Sequence, residues 1–152
     1  MNKQTSESKQ KCTNVVNESQ VLEQAAKILS KRTFGGQSFN SAEDTKTFLQ
    51  FKLGIYDKEV FFVMLLNSQH QLIEYRELFF GTINSASVYP REVVKAVLSQ
   101  NAAAVIFAHN HPSGNPEPSK ADILITKRLS DALSLIDVSV LDHIVVGETT
   151  IN

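Results

Sequence analysis

Two histidines one residue apart, His109 and His111, and an aspartate further on, Asp122, are the side chains of this sequence best suited to hold a divalent ion. On extended backbone, positions i and i+2 face the same side about 6.6 Å apart at Cα, so both imidazoles can converge on one point. Two imidazoles and a carboxylate are ligands that zinc accepts, one short of the four found in closed structural sites. A site left open in this way admits water, and the chemistry it suggests is metal-assisted hydrolysis with one ion per chain, Zn2+ being the expected cofactor. The mixed nitrogen and oxygen set would also accept other first-row metals. Ser119-x-x-Asp122 carries a second meaning, because the same spacing lets a helix cap its own first turn. Hydrolysis also needs a group to move a proton, and Glu59, Glu74, Glu77 and Glu92 are the candidates.

The elements around these residues must bring them to one place. Ala102 to Ala108 is a short apolar run that leads straight into His109, which puts the histidine pair at the carboxyl end of a buried strand, where open α/β sheets place their ligands. Pro112, Gly114, Pro116 and Pro118 then bend the chain, and Ser119 opens a helix to about Leu135 that returns Asp122 towards the strand end. Val60 to Leu66 is apolar throughout, as expected of a central strand covered on both faces. Asn67 to His70 reads as a hairpin into a second strand, Leu72 to Phe80. Pro90 starts a helix with Val93, Val94, Val97 and Leu98 on one face, and Val138 to Val146 is the last strand. Upstream, Val21, Leu22, Ala25, Ile28 and Leu29 form a helical stripe behind a Ser19 cap. Gly35-Gly36 breaks the chain, and Ser41 to Asp44 has the form of a capping box for a helix reaching Gly54. The expected organisation is a polar leader over 1–18, a helix and linker over 19–40, and a domain over 41–152. The fold class is α/β, a three-layer sandwich with a mixed β-sheet flanked by helices.

The chain of 152 residues has room for one core, with 42% hydrophobic and 20% charged residues and a net charge of -1. Bulk charge therefore gives no footprint for nucleic acid, and DNA is a partner that composition does not support. A single cysteine, Cys12, excludes an internal disulfide and a thiolate metal cluster. With no signal-like segment and no apolar run of membrane length, the expected location is cytoplasmic, without membrane association. His143 lies in the last strand, where it serves either as an ordinary strand histidine or as a second layer behind the metal ligands. A zinc nucleobase deaminase would require His-x-Glu and a later Pro-Cys-x-x-Cys; here the middle residue is Asn110 and no such cysteines exist.

His109-x-His111-Pro112, seven further residues to Ser119, and Ser119-x-x-Asp122 resemble the metal motif of the JAMM (MPN-type) metalloproteases. Phe80 to Glu92, Asn101-Ala-Ala-Ala, His109-Asn-His-Pro-Ser-Gly and Leu141-Asp-His143 look like the RadC-type branch, and this likeness spans roughly residues 40 to 148. The resemblance implies a cytidine-deaminase-like fold, zinc ligation by His109, His111 and Asp122, and a Ser119 hydroxyl that steadies the tetrahedral intermediate. It also implies a catalytic glutamate at the head of the first core strand, where Glu59 stands, and a metallopeptidase or isopeptidase-like activity on a peptide or protein substrate. Two other functions go with the family: a DNA-repair or mobile-element accessory role, through DNA binding or nuclease activity, and a catalytically silent protein-binding scaffold. RadC-type proteins commonly carry an N-terminal helix-hairpin-helix segment, for which this chain has no room, and the chain stops earlier than its family usually does.

Overall fold

The computed structural model describes residues 17–34, 42–83 and 87–147. Most of the polar leader with Cys12, the Gly35-Gly36 break, the Ser41 cap and the chain after Gly147 lie outside the described residues. In chain order the elements are α1 (Glu18–Phe34), α2 (Ala42–Leu53), β1 (Val60–Leu66), β2 (Leu72–Phe80), α3 (Pro90–Ser99), β3 (Ala104–Asn110), α4 (Lys120–Ser134) and β4 (Ser139–Val146). The strands form one mixed sheet in the order β2-β1-β3-β4, with β1 antiparallel to both β2 and β3 and with β3 parallel to β4. A parallel neighbour requires a crossover, and α4 provides it.

Every residue of β1 and β3 is buried, because both strands lie inside the sheet and helices cover both faces. Side chains alternate across a strand, so the apolar runs split between two cores. Phe61, Val63 and Leu65 join Val105 and Phe107 beneath Val97 of α3 and Ile125 and Leu129 of α4. Val60, Phe62, Met64 and Leu66 pack with Ile106 and Ala108 against Phe48, Leu49 and Leu53 of α2, while α1 adds Ala26 to the same core. This is the expected three-layer α/β sandwich with a mixed sheet. No described helix is long and apolar enough to cross a membrane.

Local details differ from the sequence expectation in two helices. The cap of α1 is Asn17, not Ser19: its side-chain oxygen accepts from the Gln20 N–H at 2.9 Å, while Gln20 returns a bond to the Asn17 N–H at 3.2 Å. Its inward side is centred on Ala26, which leaves Val21 and Ile28 exposed. In α3, Val93, Ala96 and Val97 are buried and Leu98 is 60% exposed, since the helix turns a small residue rather than Leu98 towards the sheet.

The proline-rich segment after β3 is clamped to the end of the sheet. The His111 N–H donates to Val146 O at 2.8 Å, and Gly114 adopts φ 85°, the left-handed region that glycine tolerates. Gly147 allows this approach, because a Cβ there would lie 2.4 Å from Gly114 O. The segment thus closes over the carboxyl ends of β3 and β4, with α4 starting beside them.

Candidate metal centre

His109 is the penultimate residue of β3 and fully buried, His111 lies just past the strand with a side chain 16% exposed, and Asp122 sits in the first turn of α4 with 4% exposed. Their ligand atoms converge. The two Nε2 atoms are 2.9 Å apart, Asp122 Oδ1 is 3.2 Å from His109 Nε2, and Asp122 Oδ2 is 3.3 Å from His111 Nε2. Zinc bonds of about 2.0–2.1 Å in tetrahedral geometry set neighbouring ligand atoms about 3.3 Å apart, so this cluster has nearly the dimensions of a zinc shell. Among the described residues it is the group of histidine and acidic side chains that could hold a metal ion.

Hydrogen bonds at the back of each ring fix which nitrogen faces the centre. His111 Nδ1 lies 2.8 Å from Asn115 O, which can only accept, so Nδ1 carries the proton and Nε2 offers a lone pair. For His109 the same outcome follows through a relay. The Thr126 hydroxyl gives its one proton to Asp122 O at 2.7 Å, so it must accept from His143 Nδ1. His143 Nε2 is then unprotonated and accepts from His109 Nδ1 at 2.9 Å, leaving His109 Nε2 with a lone pair that points at His111. Support of a ligating imidazole through its second nitrogen is the usual device of metal sites.

Electrostatics reinforce these protonation states. Burial is the largest influence on His109 and lowers its pKa to about 4 despite the nearby Asp122 carboxylate. Burial likewise lowers His143 to about 3, helped by His109. For Asp122 burial opposes ionisation, yet the Ser119 N–H and hydroxyl, together with the two imidazoles, hold the carboxyl below its usual range. At neutral pH His109 is therefore a neutral imidazole beside the Asp122 carboxylate, and the bond from His111 Nδ1 to Asn115 turns the His111 Nε2 lone pair towards the same point. Such a cluster is stabilised by a cation at its centre, and the donor set fits zinc.

Ser119 is the N-cap of α4 and forms the expected capping box. Its Oγ accepts from the Asp122 N–H at 3.1 Å and its N–H donates to Asp122 Oδ2 at 2.7 Å. Capping and metal geometry are thus compatible here, because the cap orients Asp122. Glu59 immediately precedes β1. Two residues further on, Phe61 pairs with His109 in the β1–β3 register. The Glu59 carboxylate accepts a short hydrogen bond from the Ile83 N–H, and its carbonyl accepts from Gly81 N–H at 2.9 Å.

The other glutamates are engaged elsewhere. Glu77 accepts from the Tyr56 hydroxyl at 2.6 Å and Glu74 pairs with Arg76, both on β2, while Glu92 pairs with Lys95 on α3. Sequence reasoning did not single out Thr126 or the Asn115 carbonyl. Thr126 had a signal, since it stands one helical turn after Asp122 on α4; Asn115 had none, because a carbonyl acts whatever its side chain. Clefts flank the cluster on two sides. One of about 480 Å³ runs between α4 and β4 past Asp122, Thr126, Leu141 and His143, and one of about 250 Å³ lies beside His111, Asn110, Tyr56 and Pro112.

Residues 39–151 match the family model described as RadC-like JAB domain. A UPF0758 protein of Vibrio cholerae is 58% identical over 135 residues, covering 89% of this chain and 85% of that protein. A UPF0758 protein of Marinobacter nauticus is 53% identical over 126 residues, and there the chain spans 56% of the relative's length. One from Pseudoalteromonas atlantica is 57% identical over 130 residues. The matched region contains the histidine pair, the proline-rich clamp, Asp122 and His143, and the chain belongs to the RadC-like JAB domain family.

Proposed function

We propose that the chain is a zinc-dependent hydrolase of amide bonds, a metallopeptidase or isopeptidase-like enzyme acting on a peptide or protein, with one ion per chain. The observation that carries this reading is the pair of Nε2 atoms 2.9 Å apart, each with its other nitrogen committed as a donor and each within 3.3 Å of Asp122. A divalent ion held by His109, His111 and Asp122 supplies Lewis acidity and makes a water acidic near neutral pH. Glu59 accepts the proton of the attacking water and returns it to the departing amine nitrogen. The Ser119 hydroxyl donates to the oxygen of the scissile carbonyl as negative charge develops there. His143 and Thr126 keep His109 in the required tautomer, and Asn115 does the same for His111. The mostly apolar cleft between α4 and β4 provides a place for substrate side chains next to the cluster.

Metal analysis and turnover test this together. Purified, never-chelated protein should hold about one zinc per chain, and peptide hydrolysis should be lost on chelation and regained with zinc. Glu59→Gln should keep the zinc and lose at least about 100-fold in kcat. A folded protein free of metal would end the hydrolase reading, and full activity in Glu59→Gln would remove Glu59 from the role of base.

A further inference from the structure

Between the two metal-cluster histidines stands Asn110, 3% exposed in a strand whose other residues up to Ala108 are apolar. Strand alternation sends His109 and His111 to one face and the Asn110 side chain to the other, towards the connection between α2 and β1. There its carboxamide oxygen and both amide protons are used. Oδ1 accepts from the Val60 N–H at 2.7 Å, and Nδ2 donates to Lys58 O at 2.8 Å and to Tyr56 O at 3.4 Å. Only this orientation of the amide matches donors to acceptors, because Val60 offers a proton and the two carbonyls offer lone pairs. The bonds to Lys58 and Val60 bracket Glu59 on both sides.

We propose that Asn110 is a positioning residue, which ties the backbone carrying Glu59 to the strand carrying His109 and His111 and so fixes the glutamate relative to the metal cluster. The inference rests on Glu59 as the proton-transferring group. A strand histidine pair alone would set the ion but not its distance from a base on another element. Asn110 sets that distance from within the ligand strand itself, and the Gly81 and Ile83 amides hold Glu59 from the other side. An apolar residue in its place would leave the N–H of the buried Val60 without this partner.

Asn110→Ala in the full zinc-loaded chain tests the proposal, with amide hydrogen exchange, zinc titration and turnover read on the same sample. Exchange at the Val60 amide should speed up at least about 10-fold, while zinc affinity changes less than about threefold. In turnover, kcat should fall about 10-fold or more with KM within about twofold, and Asn110→Ala should cost nothing further in the Glu59→Gln background. Unchanged exchange at Val60, zinc loss in step with activity, or an equal second loss of kcat in the Glu59→Gln background would each overturn it. If Asn110→Ala does not fold, Asn110→Asp keeps the acceptor for Val60 and loses the donors to Lys58 and Tyr56, and the same readouts apply. Failure of Glu59 as base shows separately, as an undiminished kcat in Glu59→Gln alone. In that event exchange at Val60 still decides whether Asn110 holds the segment.

Discussion

On one wall of the site, formed by β3, β4 and α4, each candidate ligand is braced from behind: His109 by His143 and Thr126, His111 by Asn115 and Asp122 by Ser119. The second wall is the proposed one: Glu59 stands outside regular structure just before β1, held through its neighbours by Asn110 and directly by the Gly81 and Ile83 amides. The ligand wall depends on side chains that choose a tautomer, and the Glu59 wall depends on backbone placement. A metal shell needs lone pairs aimed at one point, which bracing of side chains provides. A group proposed to shuttle a proton needs a fixed backbone beneath it, while its carboxylate, here bonded to the Ile83 N–H, turns between positions.

Substitution can pull the two walls apart, and the largest effect belongs to the ligands. His109→Ala should weaken zinc binding more than about 100-fold, beyond the 10- to 100-fold typical of outer supporting groups, as measured by competition with a chelator. Ser119→Ala bridges the walls. It should lower kcat about 100-fold through the lost oxyanion donor while zinc stays bound, and the lost cap should reduce stability by about 1 kcal/mol in urea unfolding. Retention of full kcat in Ser119→Ala would confine the serine to capping.

Thr126→Val removes the far end of the relay without touching a ligand. Zinc affinity should fall about 10-fold, and kcat at saturating zinc should stay near that of the parent protein. An unchanged affinity would mean that His143 holds its tautomer without the threonine.

The metal-free protein should also show a pH dependence of its stability. His109 and His143 have folded-state pKa values of about 4 and about 3, below the about 6.5 expected when unfolded, so the unfolded chain binds more protons between these limits. Stability is therefore fully present above about pH 6.5 and declines as pH falls towards 4. The urea midpoint should move in that direction. His143→Phe should flatten part of the slope, and a slope unaffected by the substitution would assign the acid sensitivity to other groups.

Much of this organisation was legible in the residue order. The apolar runs of β1 and β3 announced buried strands because both faces of an interior strand must be filled. The histidine pair announced a shared direction because strand periodicity is two, and Ser119-x-x-Asp122 announced a helix start because that spacing closes a capping box. These patterns involve neighbours along the chain, so local geometry alone determines them. Tertiary structure decided the rest: that α4 returns Asp122 to within 3.3 Å of both rings, that His143 and Thr126 set the tautomer of His109, and that Asn110 reaches back to residues 56–60. Hydrogen bonds of this kind join groups up to 54 positions apart and depend on atoms rather than residue types. A sequence lists the donors and acceptors, and only the packed sheet brings each to its partner.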